Sequence, residues 1–303
     1  MGRSLTKRIA RRVTMFLPVG ESRGRVRRVG AAALGLATIL VVSGCTSATD
    51  NQFKRLGLPP PASDRSPYMK DLWIGFWIVA AFVIALIYGL IIFAVIRYRR
   101  RSEDEVPTQV RYHLPIELLY TVAPLITVAV LFFFTVQKQD KIEATVSHPD
   151  NTIIVTAQQW SWTFNYLHEQ AVGGTNVYDD GTVAKIPQLW LPLNQTVKFE
   201  LHSPDVIHSF WVPAFYFKLD VIPGRENSFQ MSPNRLGIFQ GHCAELCGYE
   251  HARMLFTVHI VTPAQFDKHL QRLKADGHTG VLLGGINSHT VDGLQVANQG
   301  GTS

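Results

Sequence analysis

The chain has 303 residues, 47% of them apolar and only 17% charged, with a formal charge of +6. Residues 1–44 hold nine Lys/Arg and one acid, Glu21, so the remainder carries 20 basic against 22 acidic side chains. That distribution leaves no basic patch for nucleic acid, and the composition leans toward a membrane protein.

The first 28 residues are Arg-rich and almost free of acid, and "GAAALGLATILVVSGC" (30–45) follows, too short and small-residued for a spanning helix. This is the form of a secretory signal peptide. Its end, "VVSGC", resembles the lipobox of bacterial lipoproteins, which predicts cleavage after residue 44 and a lipid on Cys45. The opposing reading is an uncleaved helix with an incidental cysteine. A linker over 45–71 contains "LPPPASDRSP", whose four prolines interrupt a helix.

"LWIGFWIVAAFVIALIYGLIIFAVI" (72–96) is 25 residues without a charge. At ~1.5 Å per residue it exceeds the ~30 Å hydrocarbon core of a bilayer. "RYRRR" (97–101) marks the cytoplasmic side, and "LPIELLYTVAPLITVAVLFFFTV" (114–136) returns across the membrane. The hairpin of 72–136 therefore places the mature N-terminus and everything after residue 137 outside the cytoplasm. Glu117, near the cytoplasmic end of the second span, faces either a partner or water path or the headgroups.

From about residue 148 the texture changes to short runs rich in β-branched and aromatic residues, among them "NTIIVTAQQWSWTFNYL", "SFWVPAFYFKLDVIPG" and "LFTVHIVT". They predict an antiparallel β-sandwich or barrel. "EQAVGGTNVYDDGTVAKIP" reads as a surface loop, "PAQFDKHLQRLKAD" as a short helix, and 277–303 as a flexible tail.

"GHCAELCGYEHARM" (241–254) gathers two thiols, two imidazoles, a carboxylate and a thioether. Such soft ligands favour copper, zinc or iron–sulfur over magnesium or calcium. The C-x3-C spacing has no second cysteine pair for zinc, no C-x-x-C-H for haem, and too few cysteines for a cluster. Met254 tips the balance to copper, because a thioether is a weak axial ligand of electron-transfer copper on β-sandwich domains. Two thiolates, Cys243 and Cys247, suit a bridged copper pair, with His251 as one terminal ligand. A second histidine must come from elsewhere. His208 in "SPDVIHSFWVP" is the best candidate, and the other histidines of this region compete with it.

"SPDVIHSFWVP…DVIPGR…GHCAELCGYEHARM" closely resembles subunit II of haem–copper cytochrome c oxidases of the aa3 type, over roughly residues 65–270. The resemblance implies two transmembrane helices followed by an extracytoplasmic cupredoxin-like Greek-key domain over 137–276. It also implies a dinuclear CuA centre. Cys243 and Cys247 would bridge the coppers, His208 and His251 would be terminal ligands, Met254 an axial ligand and Glu245 a carbonyl ligand. The Glu245 carboxylate would reach a Mg²⁺ shared with the catalytic subunit. In "QQWSWTFNY", Trp160 would receive the electron, whereas the pattern alone reads as core packing, the more fitting role for Trp162. Glu117 in "IELLYTVAP" matches the family's helix start, with Tyr120 in place of a tryptophan, and would stand at a proton-channel mouth. The implied partners are the haem–copper subunit I, which carries the haem and reduces O2 to water while pumping protons, and a cytochrome c donor. The lipobox and Arg-rich signal imply a bacterial plasma membrane, by analogy that of a high-GC Gram-positive. Competing readings are a copper-delivery lipoprotein, the CuA domain of another copper reductase, and a quinol oxidase subunit, which would lack the copper ligands.

Overall fold

The computed structural model describes residues 53–102, 105–106 and 109–284. The Arg-rich leader, the lipobox and Cys45 lie outside the described residues.

Two long helices come first, α1 (Ser66–Arg97) and α2 (Leu114–Ile142). Both are long and apolar enough to cross a membrane, and among the described residues nothing buries their most apolar stretches. α1 starts six residues before the expected Leu72, because Pro67 lies in its first turn, where a missing N–H costs no helix bond. α2 continues past Val136 through a polar turn. There Lys138 pairs with Asp71 of α1 at 2.9 Å and lies over the Tyr68 ring, which ties the helices together beyond their apolar spans. At the other end, Glu117 caps its own helix: its carboxylate accepts the His113 N–H at 2.7 Å.

The linker before α1 is stitched to the β-domain. The Ala62 N–H donates to the Ala214 carbonyl at 2.8 Å, and the Ser232 N–H to the Asp64 carboxylate at 2.8 Å. The buried Ser66 hydroxyl donates to the Phe215 carbonyl at 3.1 Å.

Ten strands follow: β1 (Asn151–Gln158), β2 (Ser161–Leu167), β3 (Val177–Asp180), β4 (Gln188–Pro192), β5 (Val197–His202), β6 (His208–Val212), β7 (Phe217–Val221), β8 (Asn227–Met231), β9 (Gly237–Cys243) and β10 (Leu255–Val261). They form two five-stranded sheets, in the orders β3-β2-β1-β5-β8 and β4-β10-β9-β6-β7. Most pairs are antiparallel, but β1 runs parallel to β5 and β4 to β10. This is the two-layer architecture expected of a cupredoxin-like domain. Alternation does the folding: Val197, Phe199 and Leu201 of β5 face inward while their neighbours stay half-exposed. Trp162, Phe164, Phe199, Phe210 and Phe256 fill the space between the sheets. Burying each stabilises the fold by roughly 1.5–3 kcal/mol. Gly241 of β9 is obligatory, since a Cβ there would sit 2.1 Å from the Phe256 ring.

Two expectations need correction. The supposed loop 169–187 contains β3, because Val177 turns into the core and Val177–Asp180 pair with β2. The first part of the supposed tail is hydrogen-bonded to the β-domain as far as Leu282, and residues 285–303 lie outside the described residues. It follows the expected helix, α3 (Pro263–Ala275), which a Thr262/Gln265 capping box starts. α3 buries Phe266, His269, Leu270 and Leu273, one helical face. His269 stacks on Trp190 at 4.3 Å, and His259 also stacks on it, at 4.7 Å. Beyond α3 the chain returns along β3, where the Tyr178 N–H donates to the His278 carbonyl at 3.1 Å.

Candidate metal centre

Three adjacent strands carry the site. β6 begins with His208 and β9 ends with Cys243, and the register sets Phe210 opposite Cys243. Met254 immediately precedes β10, and its carbonyl accepts the Cys243 N–H at 3.1 Å. The loop between β9 and β10 holds Cys247 and a 3-10 turn starting at His251. One end of the second sheet thus gathers residues far apart in sequence.

The side chains converge. The Cys243 and Cys247 sulfurs lie 3.8 Å apart. His208 Nδ1 is 3.8 Å from the Cys243 sulfur, and His251 Nδ1 is 3.5 Å from that of Cys247. The Met254 sulfur is 3.7 Å from Cys247, and the Glu245 carbonyl is 3.2 Å from Cys243. His208, Cys243, Cys247 and Met254 are buried, and neither cysteine is in a disulfide. Two buried thiols, a buried and a half-buried imidazole and a buried thioether are a soft-metal donor set, and copper suits all of them. The hydrogen bond between the two thiols pulls Cys243 well below the ordinary thiol value and pushes Cys247 up.

Groups around these donors fix their orientation. Asp205 accepts from His208 Nε2 at 2.9 Å, which leaves Nδ1 facing the sulfurs. Burial, the largest single effect, would lower the His208 pKa, but the contacts with Asp205 and Cys243 together outweigh it and the net shift is upward. Asp205 also accepts the Gln159 N–H at 2.7 Å. The Gln159 side-chain amide and the Trp160 indole N–H both donate to the Cys247 carbonyl, at 2.7 and 3.2 Å. Trp160 therefore touches the loop of Cys247 while remaining half-buried at the surface. Gly248, at φ +126°, permits that approach, since a Cβ would sit 3.1 Å from the indole. Trp162 lies fully buried beneath, its indole donating to the Met254 carbonyl at 3.3 Å. Leu246 and Tyr249 stand exposed on the rim.

All six proposed copper ligands are therefore brought together, with Trp160 against them. The Glu245 side chain is exposed on the same loop. Glu117, on α2 near the opposite end of the hairpin, is not part of this cluster. Sequence reasoning passed over Asp205 and Gln159. The signal for Asp205 was its place three residues before His208, but a loop aspartate is usually only solvated.

Residues 151–261 match the family model described as the periplasmic domain of cytochrome c oxidase subunit II. The chain is 43% identical to a probable cytochrome c oxidase subunit 2 of Streptomyces avermitilis, over 89% of this chain and 95% of that one. It is 33% identical to cytochrome c oxidase subunit 2 of Mycobacterium bovis, over 86% of this chain and 85% of that one. The crystal structure of the periplasmic domain of cytochrome oxidase subunit II of Bradyrhizobium japonicum is similar with a TM-score of 0.38 at 31% identity. It covers 44% of this chain and 99% of that one. With a donor set of this kind and similarity running from the helix hairpin through the β-domain, the chain belongs to the cytochrome c oxidase subunit II family.

Proposed function

We propose that the chain is the electron-accepting subunit of a respiratory cytochrome c oxidase. In this reading His208, Cys243, Glu245, Cys247, His251 and Met254 hold a dinuclear copper centre. The observation that carries the reading is the pair of sulfurs 3.8 Å apart, each with an imidazole Nδ1 within 3.8 Å. A copper pair held by these residues would supply one-electron transfer with little change in its surroundings. The chain's part is to hold six donors at the ends of β6 and β9 and in the loop leading to β10, shut water out with Trp162 and Phe256, and keep His208 aimed through Asp205. Trp160, hydrogen-bonded to a ligand's carbonyl, is the residue through which cytochrome c delivers the electron. Residues 137–303, from the last turns of α2 onward, carry 11 basic and 15 acidic residues, a balance suited to a basic donor patch.

The onward partner is the haem–copper catalytic subunit, which reduces O2 and moves protons. An apolar groove of about 1180 Å³ runs between the outer ends of the helices and the β-domain, reaching Cys243 and His251 past Trp73, Trp211 and Phe217. That subunit would cover this groove, the Glu245 carboxylate would share a Mg²⁺ with it, and Glu117 would serve its proton uptake. Cys45 would carry a lipid at the outer face of the bacterial plasma membrane.

The test is a copper count with low-temperature EPR on the purified oxidase. Two coppers in this chain with a seven-line hyperfine pattern are expected. A four-line pattern from one copper would overturn the dinuclear assignment, and a silent Cu(I) site would point to copper delivery.

A further inference from the structure

The strands β1 and β2 depart from simple alternation. Thr156, Gln158, Ser161, Thr163 and Asn165 lie on the face turned away from the core, yet all are buried. Part of that cover comes from residues 278–284. The Gly280 N–H donates to the Asn176 carbonyl at 2.8 Å, beside an antiparallel bridge from Val177 to Thr279. The segment then crosses the sheet. Leu282 is clamped by the fully buried Asn165, whose carbonyl oxygen accepts the Leu282 N–H at 2.7 Å and whose amide donates to the Leu282 carbonyl at 3.1 Å. The Thr156 hydroxyl donates to the same carbonyl at 3.2 Å. Finally Gly284 meets two side chains at once: a Cβ there would sit 2.1 Å from Gln158 Oε1 and 2.9 Å from Pro204 Cγ. Its φ of +78° also suits glycine alone.

Gln158 and Pro204 each directly precede a residue that steadies the metal centre. Gln159 bonds the Cys247 carbonyl, and Asp205 holds His208. We infer that residues 278–284 are a brace for the metal centre, with Asn165 and Gly284 as its positioning residues. It presses on both segments that meet at the Gln159–Asp205 hydrogen bond, at the end nearest the donors. The brace itself is a property of the protein alone; its use in electron transfer rests on the dinuclear reading above.

The experiment is amide hydrogen exchange on the full-length chain, comparing the parent with Asn165→Ala and, separately, Gly284→Ala. The Asn165 variant removes the clamp. The Gly284 variant leaves the clamp and pushes only the end of the segment off its two contacts, so it keeps the test decisive if the first variant folds poorly. The Gln159 and Val206 amides, both held by Asp205, are expected to exchange at least ~10-fold faster in the two variants. In copper-loaded protein the absorption bands should shift without loss of metal. Faster exchange confined to 278–284, with Gln159, Val206 and the spectrum unchanged, would make the segment a mere cover and overturn the inference. The parent's copper count and EPR judge the dinuclear reading independently.

Discussion

Gly241 leaves no room for even a methyl group, because the Phe256 ring lies against its Cα face. Phe256 is itself wedged among Trp162, Phe164 and Phe210, with ring centres 5.1 to 5.4 Å away. Gly241→Ala should therefore force that cluster apart, costing about 1–3 kcal/mol. Thermal unfolding followed by circular dichroism should show a midpoint several degrees lower, and an unchanged midpoint would mean that the ring can swing aside. Single residues also mark how far the site was legible. The thiols, His251 and Met254 were readable because one loop carries them at a spacing few other chemistries need. His208 was readable only as one histidine among several, until the resemblance singled it out. Asp205 and Gln159 were not, since their roles depend on a bond between two segments 46 residues apart.

At the level of elements, α3 and the segment before β3 form one unit that no local pattern announced. Lys274 of α3 donates to the Val172 carbonyl at 2.8 Å, and Glu169 is buried facing Asp267 of the helix. Burial, then the Asp267 charge, raises the Glu169 pKa from 4.5 to about 7. One of its oxygens has no hydrogen-bond partner, consistent with a group that prefers to keep its proton. Because the folded chain binds that proton more tightly, this contribution is fully present below pH 4.5 and is lost as pH rises to about 7. Asp179, raised to about 6 chiefly by burial, acts with the same sign at lower pH. His269, lowered to about 3 by burial first, acts with the opposite sign below its ordinary value of 6.5. Glu169→Gln should thus gain stability over the parent as pH climbs from 4.5 to 7, levelling off near 1–2 kcal/mol. Urea titrations at several pH values would read it, and parallel stability curves would contradict it. The strands and both long helices could be read from periodicity and length. β3 could not, because four residues with one inward valine resemble a polar loop.

Over the whole molecule, the helix hairpin and the β-domain are held by short-range bonds rather than by a loose tether. Ser63 and Ser66 share a hydroxyl contact at 2.9 Å, and both reach the carbonyl of Phe215. Arg65 donates to the Ala144 carbonyl at 2.9 Å, just after α2. Replacing both serines with alanine removes the hydroxyl bonds, each worth about 1 kcal/mol net. Spin labels on α1 and β7 should then show a broader distance distribution, while an unaltered one would assign the orientation to the backbone bonds from the Ala62 N–H to Ala214 and from the Asp64 N–H to the Ser232 carbonyl. The segment after α3 has a separate consequence for the molecule in company. β3 is the border of its sheet, and a border strand offers unpaired backbone groups that template self-association. The Asn176 carbonyl and the Tyr178 N–H are two such groups, and both are satisfied from within the same chain. By closing that border, the segment denies a neighbouring copy the start of an intermolecular sheet, a safeguard against aggregation for a domain crowded onto a membrane surface.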